Sequence, residues 1–122
     1  MGRTARGVRG VRLRPSDRVV GMVLAEMRDR PDHLFVGLFG RPYNAFTRDA
    51  NMGIPRKFTS RGVTVVPFDL IYDEDAAIVP NMYWYYGQQD MKGLERVRAV
   101  PNLYATWISN FSCAPDSFLL HY

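Results

Sequence analysis

Leu34-Phe35-Val36-Gly37-Leu38-Phe39 is an unbroken apolar run that stops at Gly40-Arg41-Pro42-Tyr43-Asn44. A strand that alternates apolar and polar residues has one wet face. A strand apolar throughout has none, which is the pattern of a parallel sheet covered on both sides. Glycine and proline then end the strand. The turn brings a guanidinium, a phenol and an amide (Arg41, Tyr43, Asn44) to one place, a set suited to gripping an anionic or polar ligand. The same residues suit a turn with a surface arginine, and spacing alone does not choose between the two.

Working outward, two more runs have strand character: Val63-Thr64-Val65-Val66-Pro67, rich in β-branched residues, and Leu103-Tyr104-Ala105-Thr106-Trp107-Ile108. Strands are therefore expected at 34–39, 63–67 and 103–108. Between the first two, Gly53-Ile54-Pro55 opens a short helix over 56–61 that Gly62 closes, so a parallel βαβ unit is expected. Ahead of the first strand, Val20, Val23, Leu24 and Met27 fall at i, i+3, i+4 and i+7. That is one face of a helix opening at Pro15-Ser16-Asp17 and ending near Arg30. A second helix is expected from the Pro80–Gln89 stretch to about Arg98, with Trp84, Gln88, Met91 and Glu95 in one stripe. The fold class is α/β: a three-layer, Rossmann-like lobe with a short, mainly parallel sheet and flanking helices. Such sheets bind ligands beyond the carboxyl ends of their strands. The loops after Phe39 and after Ile108 should therefore face one crevice.

The 122 residues suffice for one domain with a core, and the longest apolar runs fall short of a membrane span. The net charge of +4 is local: Arg3, Arg6, Arg9, Arg12 and Arg14 sit in the first fourteen residues, leaving 11 basic against 12 acidic residues elsewhere. Residues 1–14 read as a flexible tail and 15–122 as a single domain. The tail has the charge to touch nucleic acid, yet a short Gly/Arg-rich end is more commonly just solvated, so a nucleic-acid role ranks last. The aromatic run Tyr83-Trp84-Tyr85-Tyr86 reads as core and interface packing, because it lacks the basic groove that base stacking needs. Asp69, Asp73, Glu74 and Asp75 read as a solvated acidic loop.

The one cysteine, Cys113, lies in Asn110-Phe111-Ser112-Cys113-Ala114-Pro115-Asp116-Ser117-Phe118, after the third strand and at a helix start marked by Pro115 and Asp116. A lone cysteine excludes an intrachain disulfide framework and makes a reducing cytoplasm the default. Read by itself such a residue is most often inert and half-buried; as a thiolate it attacks or ligates metal.

Gly40-Arg41-Pro42-Tyr43-Asn44, Asp49-Ala50-Asn51-Met52-Gly53-Ile54-Pro55, Met82-Tyr83-Trp84 with Gly87-Gln88, and the cysteine motif, in that order, resemble the large CoA-substrate-specific enzyme activase-related proteins. These contain a domain similar to 2-hydroxyacyl-CoA dehydratase subunits. The resemblance covers about residues 33–122. It implies a flavodoxin-like lobe of a cytoplasmic iron–sulfur protein of anaerobes, in which cysteines from separate lobes hold a 4Fe-4S cluster. By that resemblance Cys113 is a metal ligand, Arg41, Tyr43, Asn44 and Asn51 shape the adjoining substrate pocket, and Asp116 and Ser117 support it. Ala114 stands where the motif has glycine, which matters only if that position needs a positive φ. One cysteine cannot hold a cubane cluster. The resemblance therefore implies a fragment, inactive and without cofactor alone, whose partners are the remaining lobes, an activase module or a dehydratase, with a CoA thioester as candidate ligand. The alternative is a non-enzymatic binding module for an anionic ligand such as CoA or a nucleotide phosphate, relying on Arg41.

Overall fold

Strand β1 (Phe35–Phe39) is buried along its whole length and forms the centre of a three-stranded sheet in the order β2-β1-β3, with β2 at Thr64–Pro67 and β3 at Leu103–Trp107. The computed structural model describes residues 19–110 and 112–122, with side chains from Met22 onward. Both pairings are parallel, with Phe35 opposite Thr64 on one side and Leu103 on the other. The all-apolar reading of residues 34–39 is thus explained, since β1 has a strand on each edge and packing on each face.

Alternation along β1 separates those faces. Phe35 points with Val66 and Leu103 towards Met27 of helix α1 (Val19–Asp29), Ile71 just after the 3-10 turn at Phe68–Leu70, and the flanking Val97 of helix α4 (Tyr85–Ala99). Leu38 points the other way, to Ala45, Ile54, Val65 and Ile108, under α2 (Pro42–Ala45) and α3 (Ile54–Thr59). Helices therefore lie on both faces, giving three layers. A fully buried side chain such as Phe35 contributes about 2 kcal/mol of apolar burial. One amide ties the end of α1 to the loop before β1: Asn102 Nδ2 donates to the Met27, Arg30 and His33 carbonyls at 3.0, 2.9 and 3.1 Å.

Each strand lies within one residue of its expected bounds. Met27 anchors α1 in the core with Val23 and Leu24 against it, as its spacing predicts. The Pro15–Asp17 start, the side chain of Val20 and the arginine tail lie outside the described residues. The turn after β1 winds into α2, because Pro42 at its start fixes a helical φ.

The second long helix departs from expectation. It starts at Tyr85, five residues later than Pro80, because Gln88 holds the preceding loop open: its amide donates to the Val79 and Met82 carbonyls, and its Oε1 accepts from Val79 N–H. Of the stripe Trp84, Gln88, Met91 and Glu95, Met91 is buried, Glu95 is exposed and Trp84 stands at the N-cap. Gly87, Asp90 and Gly93 are buried with Met91. Nor is the aromatic run core, since Tyr83 and Tyr85 are 86% and 70% exposed. Among the described residues no helix is long and apolar enough to cross a membrane.

Candidate functional site

The order β2-β1-β3 sends the chain from β1 to one side and brings it back on the other, so the carboxyl ends of β1 and β3 flank a topological switch point. Gly40 makes the approach there. Its φ is +122°, and a Cβ on it would run into the Ile108 carbonyl oxygen, while Ile108 N–H donates to the Phe39 carbonyl at 2.9 Å. Only glycine lets the β1 exit pass so close to the β3 exit.

Arg41 follows at once, and its Nε donates to Asp116 Oδ1 at 3.3 Å. Asp116 sits in the first turn of α5 (Ala114–Leu119), where the positive helix end favours an acid, and its Oδ2 accepts from Asn110 N–H at 3.2 Å. One buried carboxylate therefore fixes the β1 turn, the loop after β3 and α5. Burial pulls the Arg41 guanidinium down, but Cys113, the Asp116 hydrogen bond and Tyr43 outweigh it, so its pKa is raised.

Cys113 is the N-cap residue of α5 and is half-buried. Its N–H donates to the Asn110 carbonyl and its carbonyl accepts from Ser117 N–H, both at 3.0 Å. The preceding Ser112 has a φ of +72°, an unusual conformation for a residue with a side chain. Ala114 begins α5, so the substitution of alanine for glycine places no strain on the loop, and the positive φ falls at Ser112.

The other sequence candidates have distinct surroundings. Tyr43 is half exposed and acts on Arg41 electrostatically; Asn44 is buried, with an Nδ2 that has no partner. Asn51 is spent on its own loop, its Nδ2 donating to the Ala45 carbonyl and its Oδ1 accepting from Gly53 N–H. It lines a broad groove of about 960 Å³ with Arg48 and Arg56, which Arg41 does not line. Ser117 is exposed. The acidic loop is in part paired: Asp73 accepts from Arg96 at 3.2 Å.

Sequence reasoning missed Asp90. It is 1% exposed and faces the Gly40 amide, and its Oδ1 has no hydrogen-bond partner. Burial pushes its pKa up to about 7, with Asp116 adding to the rise and the Gly40 amide and Arg41 opposing it. A signal was present: Gly87, Asp90, Met91 and Leu94 fall at i, i+3, i+4 and i+7, which sets an acid within an apolar stripe. Asp90, Arg41 and Asp116 line a cleft of about 110 Å³ walled by Trp84, Tyr85 and Tyr86.

Residues 14–71 match the family model of the CoA enzyme activase uncharacterised domain. Over that segment the chain is similar to a CoA enzyme activase-related domain. The matched segment runs from α1 through β2 to the 3-10 turn. It holds Gly40, Arg41, Tyr43, Asn44 and Asn51, while Asp90, Cys113 and Asp116 lie beyond it. The helix before β1 thus lies within the matched segment, which starts earlier than the residue 33 from which the motifs were read. No curated protein and no solved structure matches the chain. Among the described residues no group of three or more His, Cys, Asp or Glu is placed to hold a metal ion.

Proposed function

We propose that this activase-related lobe works as part of an iron–sulfur assembly, with Cys113 supplying one thiolate ligand at the crevice between the β1 and β3 exits. The observation that supports the reading is the Arg41–Asp116 bond, which holds the cysteine turn against the β1 turn. As a complete cluster site the chain does not fit: a cubane takes four cysteine-type ligands, and Cys113 is the only cysteine. It fits as one contributor among several. The other ligands come from further lobes, an activase module or a dehydratase partner in the cytoplasm. There Arg41, Tyr43, Asn44 and Asp116 shape the polar wall beside the cluster, and Asn51 and Ser117 hold the adjoining loops. A CoA thioester is the ligand this assembly would meet.

The test is iron and acid-labile sulfide in the anaerobically assembled complex of this chain with its dehydratase-type partner. Cys113→Ser is expected to lower both and bleach the visible absorbance. Unchanged content would remove the ligand role.

A second reading, a binding module for an anionic ligand such as CoA or a nucleotide phosphate, is favoured by the broad groove. Arg48 and Arg56 stand there beside the apolar Leu38, Val65 and Pro67, a combination suited to a phosphate with an apolar body. In this reading Arg41 is not the anion's partner, because it does not line this groove. CoA binding weakened by Arg56→Ala but not by Arg41→Ala would support it, and no CoA binding by the intact chain would exclude it.

A further inference from the structure

The cleft beside Asp90 has chemistry that the cluster reading does not use. Two carboxyl groups line it, each 1% exposed, against one guanidinium that is already bonded to Asp116. An anion would meet two acids against a single guanidinium, whose Nε already serves Asp116. Asp90 Oδ1 accepts from nothing although it is buried, and a buried acceptor without a partner is costly. Trp84, Tyr85 and Tyr86 also line the cleft, beside Gly87, Pro115 and Leu119, and aromatic side chains attract positive charge. With Asp90 ionised, the two carboxylates exceed the one guanidinium by a single negative charge, and the space vacant for a counter-ion is about 110 Å³.

We propose that this cleft binds a small ammonium group, a primary amine carrying its proton, with one N–H donated to Asp90 Oδ1 and the aromatic rings around the cation. The inference concerns the crevice of the proposed function but makes no use of Cys113. Binding has a proton balance: the ammonium meets the ionised carboxylate, so where Asp90 is a neutral acid its proton passes to solvent. The charged groups facing Asp90 are Arg41, from the turn after β1, and Asp116, from α5; Tyr85 and Tyr86 on α4 are the other titratable side chains of the cleft.

Calorimetric titration of the intact chain with methylammonium chloride tests this, with potassium chloride as a cation that has no N–H to donate. Saturable binding is expected for methylammonium alone, weakening about tenfold per unit as the pH falls below the Asp90 range. Asp90→Asn, which keeps the shape of the neutral acid, is expected to weaken it at least about tenfold. Cys113→Ser is expected to leave it unchanged, so that failure of the cluster reading and failure of this one are separate results. No saturable binding, an affinity independent of pH in the unmodified chain, or equal affinity for potassium would each overturn the proposal.

Discussion

Arg41 Nε lies 3.3 Å from Asp116 Oδ1 although 75 residues separate the two in the chain. The pair closes the β1 exit against α5 around a carboxylate with only 2% of its side chain exposed. Removing one partner of such a pair leaves the other buried and uncompensated. The Arg41 side chain is 29% exposed, so water answers part of the loss, and Arg41→Ala is expected to cost about 2 kcal/mol. Chemical denaturation measures it, and a change below about 0.5 kcal/mol would mean that the pair is no more than a surface contact.

Gly40→Ala should be more damaging than its single methyl suggests. The new Cβ meets the Ile108 carbonyl oxygen, and the φ of +122° is outside the range alanine adopts with ease. Strain and overpacking act together, so a loss of about 3 kcal/mol is expected. The Asp90 contact should suffer as well, since the Gly40 amide moves with the turn. Thermal unfolding checks the loss of stability.

Asp90 makes stability depend on pH. Its carboxyl titrates near the ordinary value of 3.8 in the unfolded chain and near about 7 in the folded one, so between those values the folded state holds a proton that the unfolded state releases. Stability is then full below the lower value and falls as pH rises towards about 7, with a limiting slope of about 1.4 kcal/mol per unit. Asp90→Asn removes this slope. Denaturation midpoints across the acid range measure it, and equal slopes in the two proteins would show that Asp90 does not carry the proton.

Ser112→Gly is expected to stabilise. Serine holds a φ of +72° in the turn before Cys113, a conformation that costs a side-chain-bearing residue about 1 kcal/mol and glycine almost nothing. A gain of about half that is expected once the greater freedom of glycine in the unfolded chain is included. A loss of stability would mean that the Ser112 side chain stabilises the turn.

The sheet was legible because it is local: an apolar run between two strands reads the same in sequence as in space, and all three strands fell within a residue of expectation. The meeting of Arg41 with the cysteine turn followed from topology, since parallel strands gather their carboxyl ends. Asp90 was not read, because an acid on a helix looks solvated until the helix is seen to pass under Gly40. The start of α4 was misplaced because Gln88, a residue with no strong local preference, ties down Val79 and Met82 by side-chain hydrogen bonds that no spacing rule reveals. Asn51, named for the pocket by resemblance, lines the broad groove while both ends of its amide serve the backbone of its own loop, a pairing that no spacing rule reveals.

Cys113 is the only cysteine in the chain, which allows its role to be tested without mutation. Chain labelled with carbon-13 at the cysteine Cβ, assembled anaerobically with unlabelled partner and reduced, carries the label at one position. Electron–nuclear double resonance on the reduced cluster should then show a carbon-13 hyperfine coupling from Cys113. A paramagnetic cluster with no such coupling would contradict the proposal that this thiol is a ligand.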